Sequence, residues 1–161
     1  MKARKGFTLV ELLIVIVIIG ILAAAMLLSS VSATDSAEAS NIISDLRGLK
    51  TAALMLFADS MDDFSNKVYG PPPAQPVDIG MLTRYVADPA KYGYGGAYSF
   101  EVNVLNGETK WWVGFNMTTG NKGPSIGEKL TGKAKSIGLY KDMAYTFFDD
   151  KTDTEVWMAV R

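Results

Sequence analysis

The feature that most constrains this chain is a run of 22 residues, Phe7 to Leu28, holding a single charge, Glu11. A helix of that length covers roughly 33 Å at ~1.5 Å per residue, enough to cross the hydrocarbon core of a bilayer. Lys2, Arg4 and Lys5 stand immediately before the run, and the next basic residue is Arg47. Basic residues on that side keep the amino-terminal end cytoplasmic and send the remainder outward. From Asp35 onward charges occur throughout, so an apolar tail is joined to a polar body.

Composition narrows what the body can do. A chain of 161 residues makes one ordinary domain plus an appendage. Its 16 basic and 17 acidic side chains give a net charge of −1, without the basic excess of a dedicated nucleic-acid binder. The sequence has no Cys and no His. Disulfides, thiolate zinc sites and cysteine nucleophiles are therefore excluded, and the commonest general base and metal ligand is missing. No nucleotide-binding loop, catalytic carboxylate pair or triad stands out. The expectation is a non-enzymatic chain with no cofactor.

Three arrangements account for the apolar run. The first is a secretory signal, with Val31-Ser32-Ala33 as a small-residue cleavage site; the run is longer than the usual ~7–15 residues and contains an acid. The second is a plain single-span anchor, which leaves Glu11 unexplained. A carboxylate within the membrane costs on the order of 2.5–3.5 kcal/mol, so it calls for a partner or for snorkelling to the interface. The third uses every one of these features.

Residues 6–25, GFTLVELLIVIVIIGILAAA, preceded by MKARK, closely resemble the processing and assembly segment of type IV prepilins and the related type II secretion pseudopilins. The resemblance covers about the first 28 residues. It implies that a membrane peptidase and methyltransferase cuts after Gly6, methylates the new amino terminus at Phe7, and reads Lys2, Arg4 and Lys5 as a basic leader. It also implies that Glu11 serves in assembly. Phe7 and Glu11 are four apart and share a helix face. Cleavage would create an α-amino cation that the Glu11 of a neighbouring subunit could neutralise, sparing two isolated charges in an apolar filament core. Gly20 and Ala24 form a small-xxx-small pair that admits close helix contact, or are ordinary membrane-span residues. Many pilins carry a proline where this chain has Leu28, so local melting of the helix rests on Gly20 alone, worth only ~1 kcal/mol.

The apolar run continues as an amphipathic helix. Ile42, Ile43, Leu46, Leu49, Ala53, Leu56 and Phe57 form one stripe, with Asp45, Arg47 and Lys50 between them and expected to face outward. One helix is predicted over 7–60, membrane-spanning in 7–28 and amphipathic in 29–60, after a leader at 1–6. Residues 61–161 form the head. Pro71-Pro72-Pro73 end helical structure, giving a surface αβ-loop over 61–76. A short helix is predicted over 78–86 with Asp78 as N-cap. Tyr98–Leu105 and Glu108–Met117 flank Asn106-Gly107, a strong hairpin signal. Loop follows at 118–127, a short helix at 128–137, and two more strands at 145–148 and 155–160 around a turn at 149–154. The fold class is α+β: a long amino-terminal helix packed on a small four-stranded antiparallel sheet, the ladle architecture that the resemblance also implies. Without Cys, the carboxy-terminal strands must be held by packing, with Trp157 as anchor.

Smaller constellations have ordinary readings beside functional ones. Asp149, Asp150 and Asp153 could form a weak calcium loop, but lack an EF-hand's spacing and read more simply as a solvated turn. Lys129, Lys133, Lys135 and Lys141 could touch DNA if the role is competence, and otherwise make a soluble face. Phe57, Phe64, Tyr69, Trp111, Trp112 and Trp157 read as packing residues. The expected function is a structural pilin subunit, an inner-membrane precursor that then joins an extracellular fibre for adhesion, motility or DNA uptake. Its expected partners are its own copies, other pilins, the prepilin peptidase and an inner-membrane assembly platform. The alternatives are a type II secretion pseudopilin and a membrane-tethered binding domain that does not polymerise.

Overall fold

The structure is a computed structural model that describes residues 6–60, 77–93 and 95–161. The expected leader with Lys2, Arg4 and Lys5, and the expected loop over 61–76 with Phe64 and Tyr69, lie outside the described residues. The chain divides into two compact units, 1–35 and 36–161. Helix α1 runs from Leu9 to Asp59 and is continuous through Gly20.

In the first unit, residues Gly6 to Leu27 are all exposed. A window of mean hydropathy 3.1 lies here with none of it buried. Apolar side chains on every face of a helix have no intramolecular partner to cover them, which is how a membrane span or a bundle element reads.

In the second unit the pattern changes to one buried stripe. Among the described side chains of α1, Ala39 is the first fully buried, followed by Ile42, Ile43, Leu46, Leu49, Ala52, Ala53 and Leu56. The 3.6-residue period places these on one face. Each fully buried Leu contributes about 1.5–3 kcal/mol relative to exposure. The stripe packs with Phe100, Trp111, Val113, Phe115, Val156 and Met158 in one core. Asp45 and Lys50 do not face outward as the pattern suggested. Lys50 Nζ donates to the Ala159 carbonyl at 2.8 Å, and Asp45 accepts from Lys91 Nζ at 2.7 Å and Tyr92 Oη at 3.1 Å. Both sit at the edge of the stripe, where a long or acidic side chain can reach across to the body.

Among the described residues the sheet has three strands: β1 (Tyr98–Leu105), β2 (Glu108–Asn116) and β3 (Glu155–Ala159), in the order β1-β2-β3 and antiparallel throughout. Asn106 and Gly107 both have positive φ, 53° and 81°, the geometry of a two-residue turn whose twist matches the strands. Alternation sends Trp111, Val113 and Phe115 to the core face and Trp112 and Gly114 to the opposite face. Two short 3-10 helices, Ile79–Tyr85 and Pro89–Tyr92, precede β1. Asp78 caps the first, accepting from the Gly80 N–H at 2.6 Å.

The fourth strand expected at 145–148 does not form. Asp142 Oδ1 accepts from the backbone N–H of Ala144 at 2.9 Å and of Thr146 at 3.0 Å, taking amides that a ladder would need. Tyr145 adopts φ 65°, which breaks extended geometry. Only isolated bridges remain, joining Tyr140 to Phe147 and to Trp157. Helix α2 spans Pro124–Ile137, four residues longer at its start than expected. Pro124 opens the helix after Gly123, a position where its missing N–H costs nothing. Gly138 closes it in the left-handed region at φ 79°, its N–H donating to the Ala134 carbonyl at 2.8 Å.

Candidate functional site

The acid that dominates the apolar run is engaged within its own chain. Thr8 precedes α1, and its N–H and Oγ1–H both donate to Glu11 Oε2, at 2.9 and 2.7 Å. Glu11 N–H donates back to Thr8 Oγ1 at 3.2 Å. This reciprocal capping box satisfies orphan donors at the helix start and places a carboxylate near the positive end of the helix dipole. The T-x-x-E spacing that encodes it is present in the sequence, and Thr8 is the site residue that sequence reasoning passed over. Phe7, one residue before the cap, is 84% exposed. A new amino terminus there would lie one turn from Glu11. Added Cβ atoms at Gly6 and Gly20 would meet nothing within 4 Å, so no contact inside the chain requires glycine at either position.

In the second unit the acidic turn organises around a lysine. Lys141 Nζ pairs with Asp149 Oδ1 at 3.0 Å, and this contact raises the Lys141 pKa. Asp150 Oδ1 accepts from Thr152 N–H at 2.9 Å, which holds its carboxyl below the usual aspartate value. Burial opposes ionisation of Asp142, but hydrogen bonds from Thr146 and Ala144 prevail and lower its pKa. Asp149, Asp150 and Asp153 therefore do not converge as a calcium loop, and no group of three or more acidic side chains placed for a metal occurs among the described residues. Lys133 Nζ donates to Ser40 Oγ at 3.1 Å, so the lysine stretch is divided between α2 and the acidic turn.

The outer face of the sheet is aromatic. Trp112 is fully buried beneath Tyr145 and Tyr140, with ring centroids 4.8 and 5.8 Å away. Its Nε1 has no hydrogen-bond partner among the described residues. Trp157 lies over Gly114, as its expected anchoring role requires, because a Cβ at Gly114 would come within 2.5 Å of the indole.

Residues 1–27 match the prokaryotic N-terminal methylation motif. Two fimbrial proteins of Pseudomonas aeruginosa are each 36% identical over 88 residues, 55% of this chain and 55% of theirs. The chain thus spans about half the length of the curated relatives it matches. The solved structure of the major type IV pilin PilA1 from Clostridium difficile covers 80% of this chain and 98% of its own, with a TM-score of 0.46 and 19% identity. The resemblance to type IV pilins that residues 6–25 carry is borne out by the motif match and by the fimbrial relatives. A long amino-terminal helix packed on an antiparallel sheet is the fold observed.

Proposed function

We propose that this chain is a type IV pilin, a structural subunit that polymerises through its apolar helix. One observation carries the reading: a methylation-motif segment whose apolar residues, from Phe7 to Leu27, are exposed on every face. Such a surface is stable only in lipid or against other apolar helices. The precursor sits in the inner membrane with its basic leader, residues 1–6, on the cytoplasmic side. A peptidase cuts after Gly6 and methylates Phe7. Removing Lys2, Arg4 and Lys5 from the 16 basic residues leaves 13 against 17 acids, a net charge of −4. An assembly platform moves the subunit from lipid into a bundle of identical helices, where Glu11 of one subunit meets the Phe7 amine of the next. The head faces outward and decides what the fibre touches.

Similarity to fimbrial proteins favours a pilus over a secretion pseudopilin. Mass spectrometry of protein from its native cell tests the processing: a methylated Phe7 terminus is expected. A retained leader, or a start at Thr34, sinks the proposal. Electron microscopy of sheared surface material then tests the fibre.

A further inference from the structure

Between α1 and α2 the head holds an open cleft of about 210 Å³, lined by Ser40, Ile43, Ser44, Arg47, Lys133 and Ile137. Two cations and two hydroxyls face this space, and no carboxylate is among the lining residues. Among the described residues Lys133 reaches only the Ser40 hydroxyl, which accepts a hydrogen bond without neutralising the charge. The cleft is therefore an anion-seeking surface.

A complementary surface lies on the other flank of α2. An added Cβ at Gly127 would come 2.8 Å from the Lys151 carbonyl, which places the acidic turn against that flank. At about 100° per residue, Lys133 lies about 120° around the helix from Gly127, with buried Leu130 midway between them on the core side. The turn is locally acidic: Asp142, Asp149, Asp150, Asp153 and Glu155 outnumber Lys141 and Lys151. Asp150 is exposed, and its contact is a backbone N–H rather than a cation.

We propose that heads of successive subunits dock across α2, the Arg47–Lys133 cleft of one copy receiving the Asp149–Asp153 turn of the next. The argument is charge complementarity together with placement. Opposite charges on opposite flanks of one helix cannot satisfy each other within a chain, but they can between copies. The contact is heterologous, the kind that propagates as a filament instead of closing as a two-fold dimer. The proposal rests on the reading of the chain as a fibre subunit and names a contact of its heads.

Full-length chains in the native cell provide the test. Arg47→Glu with Lys133→Glu should lower sheared-fibre yield about tenfold, since like charges then meet across the contact. Asp150→Lys should act in the same direction, and combining the three changes should restore yield. Because the chain has no Cys, disulfide mapping is clean. The double variant Ser44→Cys, Lys151→Cys should give an oxidised ladder of dimers, trimers and higher species from fibres, and either single variant should give none. Normal fibre yield from the reversals, or fibres from the double cysteine variant without a ladder, overturns this contact and leaves the fibre reading standing. Absence of fibres and of methylated Phe7 in the unaltered chain overturns the fibre reading itself.

Discussion

The Tyr98 hydroxyl donates to the Asp45 carboxylate, joining the first residue of β1 to the amphipathic part of α1. Tyr92 Oη and Lys91 Nζ converge on the same side chain, which is only 13% exposed. One carboxylate thereby ties the helix to the segment that enters the sheet. Asp45→Ala leaves two phenols and an ammonium without their acceptor, so it should cost about 2–3 kcal/mol, in the range of hydrogen bonds to a charged group. Asp45→Asn keeps an acceptor and should cost less. Burial, reinforced by Asp45, pushes Tyr92 up to about 12 and Tyr98 further in the same direction. Tyrosinate absorbance should therefore begin to rise at lower pH in Asp45→Ala. An unchanged melting temperature together with an unchanged tyrosinate titration would falsify this role.

Gly114 and Trp157 make a second tie, on the outer face. Their register pairs them across β2 and β3, and the indole occupies the volume that a side chain at 114 would need. Gly114→Ala brings its methyl within 2.5–2.8 Å of the indole and of Ser99 Oγ. Displacing a packed ring against the sheet costs about 1–3 kcal/mol, the usual range for overpacking. Tryptophan fluorescence should shift to the red as Trp157 is pushed toward water. Wild-type stability with an unshifted spectrum would show that the ring is free to move aside.

How much of this was legible in the sequence depended on whether the governing interaction is local. The helix stripe, the Asn106-Gly107 turn and the Asp78 cap are read from spacings of two to four residues, and the structure has each of them. The strand expected at 145–148 failed for a reason that is also short-range but less visible. Tyr145, Thr146, Phe147 and Phe148 have strand propensity, yet Asp142, three residues before them, captures the Thr146 amide, and Tyr145 takes a positive φ. Propensity reports what a side chain prefers, not whether a neighbour has already taken its N–H groups. The inward turn of Asp45 and Lys50 is not legible in the stripe because their partners, Tyr98 and Ala159, are 53 and 109 residues away. Charge alone says nothing about such a partner. At the amino terminus the interaction is local, yet only one of its partners is conspicuous: Glu11 is an isolated acid in an apolar run, while the Thr8 that binds it is an ordinary polar residue.

The acidic turn should make stability depend on pH in a predictable direction. Asp142 and Asp150 are both held below the ordinary aspartate value of 3.8. The unfolded chain then takes up protons near that value while the folded turn still refuses them. The stability these groups contribute is complete above 3.8 and is lost as pH falls through their lower folded values. Lys141 has the opposite sign. Raised from 10.5 by Asp149, it contributes stability that is complete below 10.5 and is lost as pH rises through its folded value. A plateau between these limits should appear in thermal melts followed by near-ultraviolet dichroism, which reports Trp112 beneath Tyr145. Asp142→Asn keeps the acceptor for Thr146 and Ala144 but cannot titrate, so its acid limb should be shallower. An acid limb as steep as in the unaltered chain would assign the pH dependence to other groups.

Glu11 offers a way to separate local capping from charge pairing between subunits. In the single chain its carboxylate already accepts two hydrogen bonds from Thr8. Glu11→Gln retains a side-chain oxygen at the same distance along the chain, and Gln serves the capping box as Glu does. It removes only the charge. Glu11→Ala removes both, with about 1 kcal/mol lost at the helix start, the typical value of a cap. Under the proposed processing both variants should insert in the membrane and be cut after Gly6, since the apolar run and the basic residues before it are untouched. Amide hydrogen exchange in detergent should show the first turn of α1 protected in Glu11→Gln and frayed in Glu11→Ala. If Glu11 neutralises the Phe7 amine of a neighbour, fibre yield should fall to the same low level in both variants, because neither supplies a negative charge. Normal fibres from Glu11→Gln alongside poor fibres from Glu11→Ala would make the cap, and not the charge, the contribution of this acid to assembly.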